Sequence, residues 1–136
     1  GTSVGGPKIS YNDLEDKPTN LAAAPAFKRY HNSNLSDITT EYLELSTGRS
    51  GFIPMRVYAK VPGEIGYVEI CAIFDDSSEL RLELAQASLG PQTETAHEIA
   101  KLLGDNNKSG RTITKFKIQQ KSGGGKGEAI IDAYEF

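Results

Sequence analysis

Two histidines, one cysteine and a scatter of acids are the residues of this 136-residue chain whose chemistry could exceed that of a scaffold. Neither His31 nor His97 has a Cys, His or acid at the spacing of a zinc site. His97-Glu98 supplies half of a metalloprotease helix, but Lys101 and Leu102 stand one turn on, where the second histidine is required. An exposed helical residue is the expectation for His97. Cys71 lies in the apolar run Ile70-Cys71-Ala72-Ile73, the setting of a small buried hydrophobe, and with no second cysteine it cannot close an intrachain disulfide. The acids Glu41, Glu44, Glu64, Asp75, Asp76 and Glu79 offer carboxyls, but a glycosidase needs two of them held at a defined separation in a cleft. Asp75-Asp76 falls in a predicted turn, where carboxylates serve the backbone; a calcium site or a catalytic carboxylate is the alternative use. The run Ser122-Gly123-Gly124-Gly125-Lys126-Gly127 is no phosphate-binding loop, because Gly127 stands where Ser or Thr is needed and a strand follows instead of a helix. These residues assign no catalytic group, cofactor or metal ligand, and a chain that binds without catalysing is the expectation.

Composition narrows the partners. The formal net charge is −3 and the basic residues form no stripe, so nucleic acid and anionic membranes are not indicated. No apolar run approaches the roughly 20 residues of a membrane-spanning helix. Fourteen glycines favour a turn-rich fold. The start Gly1-Thr2-Ser3, without Met, reads as a piece excised from something longer, and the strand-like end at Phe136 reads as a natural C-terminus.

The elements that must position any binding groups are mostly strands. Met55 to Val61 alternates, with Met55, Val57, Ala59 and Val61 on one face. Gly66 to Phe74 becomes apolar on both faces, as a central strand does. Asp75 to Ser78 is a turn, and Glu79 to Ala85 alternates again, Leu80, Leu82 and Leu84 against Arg81 and Glu83. Residues 66–85 therefore read as a hairpin. Tyr42 to Leu45 predicts an edge strand, and Asn32-Ser33-Asn34 a loop. Thr95-Ala96-His97-Glu98 is a capping box ahead of Ala96, Ile99, Ala100 and Leu103 at helical spacing, with Gly104 as the stop. Arg111 to Gln120 predicts a strand in which Ile113 is out of phase with Phe116 and Ile118, a mismatch that a bulge would repair. Ala129 to Phe136 closes the chain as a strand. The whole predicts a mainly β head, an antiparallel sandwich or small barrel with one short helix, over residues 28–136. Tyr58 and Tyr67 fall on faces away from the core, where aromatic rings stack on sugars, line a subunit contact or lie half-buried at a sheet edge.

Residues 1–27 differ: glycine and proline recur, apolar groups are sparse, and the segment has no core of its own. Within it, Tyr11-Asn12-Asp13-Leu14-Glu15-Asp16-Lys17-Pro18 resembles a motif of bacteriophage tail fibres and related virion appendages, which reads aromatic, x, Asp, Leu, x, x, Lys, Pro. The resemblance implies an extended neck in a parallel homotrimer, with Ile9, Tyr11, Leu14 and Leu21 turned to the three-fold axis. It also implies a virion location and contacts with other tail components. The expected function is host-surface attachment, the head recognising a glycan or protein receptor or serving as a collar. Loop tips carry binding on β scaffolds, so the expected receptor-binding residues are Asp75, Asp76, Asn106, Asn107, Lys108 and Lys126. A polysaccharide-degrading or autoproteolytic fibre enzyme and a monomeric carbohydrate-binding module are the competing expectations.

Overall fold

The computed structural model describes residues 24–36, 38–61, 66–87, 89–122 and 126–136. Among the described residues eight strands and one helix follow in the order β1 (Ala26–Leu35), β2 (Thr39–Glu44), β3 (Phe52–Lys60), β4 (Gly66–Phe74), β5 (Glu79–Gln86), β6 (Gln92–Thr95), α1 (Ala96–Asp105), β7 (Ile113–Ser122) and β8 (Gly127–Glu135). Every strand pairing is antiparallel. The expected class, mainly β with one short helix, is the class observed. The neck residues Ile9, Tyr11, Leu14 and Leu21, the motif at 11–18, Glu64, and the glycines of the 122–127 tip at 123–125 lie outside the described residues.

The sheet divides into two four-stranded halves, β1-β8-β3-β6 and β2-β7-β4-β5, joined at a single pairing, Phe52 with Ile113. The halves share one core. Val57, Ala59, Ala129, Ile131 and Ala133 from the first half meet Val68, Ile70, Phe74, Phe116 and Ile118 from the second. Phe52 and Phe116 bring their ring centroids to 5.0 Å across the join. Small alanines alternate with large branched residues, which lets the two layers interdigitate.

Bulges decide which side chains enter that core. Between Ile73 and Phe74, β4 pairs with Lys115 and then Ile113, so Thr114 is the extra residue and Ile113 rejoins the buried face, as the phase mismatch in the sequence predicts. Between Pro54 and Arg56 a shift in β3 throws Met55 outward, against the expectation that it shares a face with Val57 and Ala59. Pro54 cannot donate to a ladder, and such a bulge accommodates it inside a paired strand. A third shift, where Ile70 faces Glu83 and Cys71 faces Arg81, makes Leu82 the extra residue of β5. Past it the alternation reverses. Leu82 and Glu83 are both buried, and Glu83 sits opposite the core residue Ile70 instead of on the polar face with Arg81.

Two other local expectations change, and one short strand is added. Asn32 to Asn34 belong to β1, because Asn32 pairs with Ala129 and the irregularity comes only before Leu35. Residues 92–95 form the short strand β6 on the edge of β3. Gly104 lies within α1; the helix runs on to Asp105, and Asn107 takes the left-handed turn at φ 58°. The capping box is present: Glu98 accepts the Thr95 N–H at 2.8 Å. Ile99 is the fully buried residue of the helix, flanked by the half-buried Leu102 and Leu103, whereas Ala100 faces solvent.

Candidate binding surfaces

The antiparallel order gives the molecule two ends. At one end β1 begins, β8 finishes, and the connections 45–51, 75–78 and 106–112 turn. At the other end β1, β3, β5 and β7 finish and β2, β4, β6 and β8 begin. β1 begins at the first of these, the entry end, where Ala26 pairs with Glu135.

Five of the six expected receptor-binding residues gather at that entry end. Arg111 reaches both acids of the 75–78 turn, Asp76 at 2.8 Å and Asp75 at 3.7 Å. Lys108 donates to the Ser78 hydroxyl at 2.8 Å and stands 5.4 Å from the Phe74 ring centroid. The Asp75 N–H donates to the Thr112 carbonyl, and Asn106 donates from its side chain to Leu102 at the helix end. Asp76 accepts the Ser78 N–H and hydroxyl, the geometry of an Asx turn. These bonds, with Arg111, hold the Asp76 carboxyl down to about 2. The groups are thus occupied in clamping the 75–78 turn to the connection after α1. Lys126 lies at the opposite end, exposed, as are Ile38 (78%) and Leu89 (55%). Ile38 holds φ 52°, a strained setting for a β-branched side chain.

A surface the loop-tip reasoning missed covers the outer face of β1, β8 and β3. Phe27 pairs with Tyr134, and Tyr134 with Ile53, so the three form one cross-strand row. The Phe27 and Tyr134 centroids are 5.6 Å apart in an edge-to-face arrangement. Phe136, two residues past Tyr134, lies over Gly51, where a Cβ would meet the Phe136 ring at 2.7 Å. The next row is ionic. Asp132, only 6% exposed, accepts two bonds from Arg29 at 2.5 and 2.9 Å and stands 3.6 Å from Arg56. Arg56 in turn lies 5.7 Å from the Tyr58 ring centroid. Tyr58 and Tyr67 are both half-buried, on the outer faces of the two halves. The sequence signal for this surface is that Ile130, Tyr134 and Phe136 alternate with the core-facing Ala129, Ile131 and Ala133, leaving β8 apolar on both faces.

The lateral seams between the halves are closed by inward-turned acids. On one side Glu41 of β2 accepts from the Tyr30 hydroxyl at 2.5 Å and the Asn32 amide at 3.1 Å. Near it, Glu135 accepts the Ser46 N–H at 2.7 Å and stands 3.4 Å from the Lys28 ammonium. Together these outweigh the cost of burial and hold its pKa below the ordinary value. On the other side Glu83 meets Glu94 beneath α1, next to a shallow pocket of about 290 Å³ lined by Glu94, His97, Glu98, Lys101, Leu102 and Asp105. Among the described residues no three His, Cys, Asp or Glu side chains are placed to hold a metal ion. Cys71 is buried, and burial together with the neighbouring Glu69 pushes its thiol up to about 12, as suits a packing residue.

No family model matches this chain, and no curated protein resembles it significantly in sequence.

Proposed function

We propose that this chain is a tail-fibre-type head, carried as a homotrimer on the segment that contains Tyr11 to Pro18 and used to attach a virion to a host surface. The observation that carries the reading is the polarity of the head. The motif precedes β1 in the chain, β1 starts at the entry end, and β1, β3, β5 and β7 finish at the far end, beside Ile38, Leu89 and Lys126. A fibre must present its recognition loops away from its shaft, and loops on a rigid sheet are the usual place for such contacts. In this reading the receptor-facing groups are Lys126, Ile38 and Leu89. The cluster of Asp75, Asp76, Asn106, Asn107 and Lys108 faces the shaft. Three copies on one axis would turn weak single-site binding into avidity.

The test combines mass and binding. The full chain should scatter light as three times 14.7 kDa. Fluorescently labelled chain, applied to a panel of bacterial cells and to their purified surface polysaccharides, should bind at least one. Lys126→Glu and Leu89→Ser should weaken that binding, while Asp75→Asn and Lys108→Ser leave it intact. The reverse pattern overturns the assigned polarity. A monomeric mass with retained sugar binding favours the single carbohydrate-binding module. Cleavage of the polysaccharide during incubation favours the enzyme.

A further inference from the structure

We infer that the outer face of β1, β8 and β3 at the entry end is the contact between heads, each packing Phe27, Ile53, Tyr134 and Phe136 against a second copy of this chain; the inference rests on the trimeric reading above. Among the described residues eight large hydrophobic side chains are exposed: Phe27, Ile38, Tyr42, Ile53, Met55, Leu89, Tyr134 and Phe136. Five of them lie on or beside this one patch, all but Ile38, Tyr42 and Leu89. Scattered apolar groups need no partner, but a contiguous group of rings on an open sheet face marks an interaction site.

Three features select the occupant. The first is position. Pro18, the last residue of the motif, is nine residues before Phe27. At no more than about 3.3–3.6 Å per residue, the start of β1 lies within roughly 30 Å of it. If the motif segments of three copies share an axis, the three Phe27 faces are drawn toward that axis. The second feature is the border. Arg29 and Arg56 share the Asp132 carboxylate and stay half-exposed, a charged rim beside an apolar centre, as protein–protein interfaces have. The third is ring geometry. Phe27 and Tyr134 are inclined at 69°, an edge-to-face pair that completes an apolar cluster and offers no flat stacking platform.

The full chain is tested as the double variant Phe27→Ser/Tyr134→Ser, with Tyr42→Ser as control. Tyr42 is 49% exposed on the outer face of the other half of the sheet. Mass is followed by light scattering through a dilution series, with circular dichroism reporting the fold of each head. The expected result is a trimer whose dissociation midpoint moves at least tenfold to higher concentration in the double variant, with an unchanged spectrum, and does not move in the control. An unmoved midpoint in a double variant of trimeric mass overturns the inference and leaves the trimer standing. A wild-type mass of 14.7 kDa at every concentration removes the trimer itself.

Discussion

Glu83 on β5 and Glu94 on β6 bring two carboxyls together across the seam between the two halves of the sheet. Glu83 is 7% exposed; its Oε1 accepts the Leu84 N–H at 3.1 Å, and its Oε2 meets no donor among the described residues. Burial, and then the charge of Glu94 and of Glu98 from α1, push the Glu83 carboxyl up to about 7. Arg81, the nearest cation along β5, points to the other face toward Glu69. Glu41 and Glu135, the acids of the opposite seam, each have donors instead.

The seam predicts a stability that falls with rising pH. A carboxyl whose folded-state pKa lies above its unfolded value carries more protons folded than unfolded. Its destabilising ionisation is absent below the ordinary pKa of 4.5, grows from there, and is complete above about 7. The effect is on the order of 3 kcal/mol. Glu83→Gln, which keeps the donor and removes the charge, should flatten urea midpoints measured between pH 5 and 8 and raise stability at pH 8. The same slope in variant and wild type would refute the assignment.

Asp132 predicts a different loss. It is buried between two half-exposed guanidiniums, so Asp132→Ala leaves Arg29 and Arg56 side by side without their shared acceptor. The expected cost is about 1–3 kcal/mol, below that of a fully buried ion pair because water screens both arginines. A double-mutant cycle with Arg29→Ala, read by urea unfolding, should return a favourable coupling; a value near zero would mean that the bidentate geometry contributes nothing.

Gly127 opens β8 beneath the Gln120 amide. A Cβ there would run into Gln120 Oε1 and stand 2.8 Å from Val68 Cγ2, both on buried residues. Gly127→Ala should therefore destabilise the head by about 1–3 kcal/mol through overpacking. Gly110→Ala, where a Cβ meets nothing within 4 Å, should change the thermal midpoint little. Equal midpoints for the two variants would contradict the packing described.

Cys71 predicts slow thiol chemistry. With its thiol buried and pushed up to about 12, the native chain at pH 8 should react with a maleimide or aromatic disulfide at least about a hundredfold more slowly than the urea-unfolded chain. Rapid modification of folded protein would show that the strand pair β4–β5 opens readily.

Much of the head was legible in the chain. Alternation located β3, β4, β5, β7 and β8, because a two-residue period is written directly in the order of apolar and polar side chains. The out-of-phase Ile113 announced its bulge, and Thr95 with Glu98 announced the start of α1. Strand β6 and the end of β1 were hidden, since Gln92 to Thr95 and Asn32 to Asn34 are polar and take their conformation from the strands they pair with.

The sequence by itself determined that the chain is mainly β with one capped helix. Local period, capping and turn chemistry act within a few residues, and they are readable without knowing what lies opposite. Only the tertiary structure decided that Glu83 turns inward to Glu94, that Asp75, Asp76 and Lys108 clamp the entry end while Lys126 stands at the other, and that Phe27, Ile53 and Tyr134 form one row. Each depends on register between strands distant in the chain. One bulge at Leu82 reverses every side chain after it, and pairing of β1 and β3 with β8 places side by side residues separated by as many as 109 positions in sequence, Ala26 and Glu135.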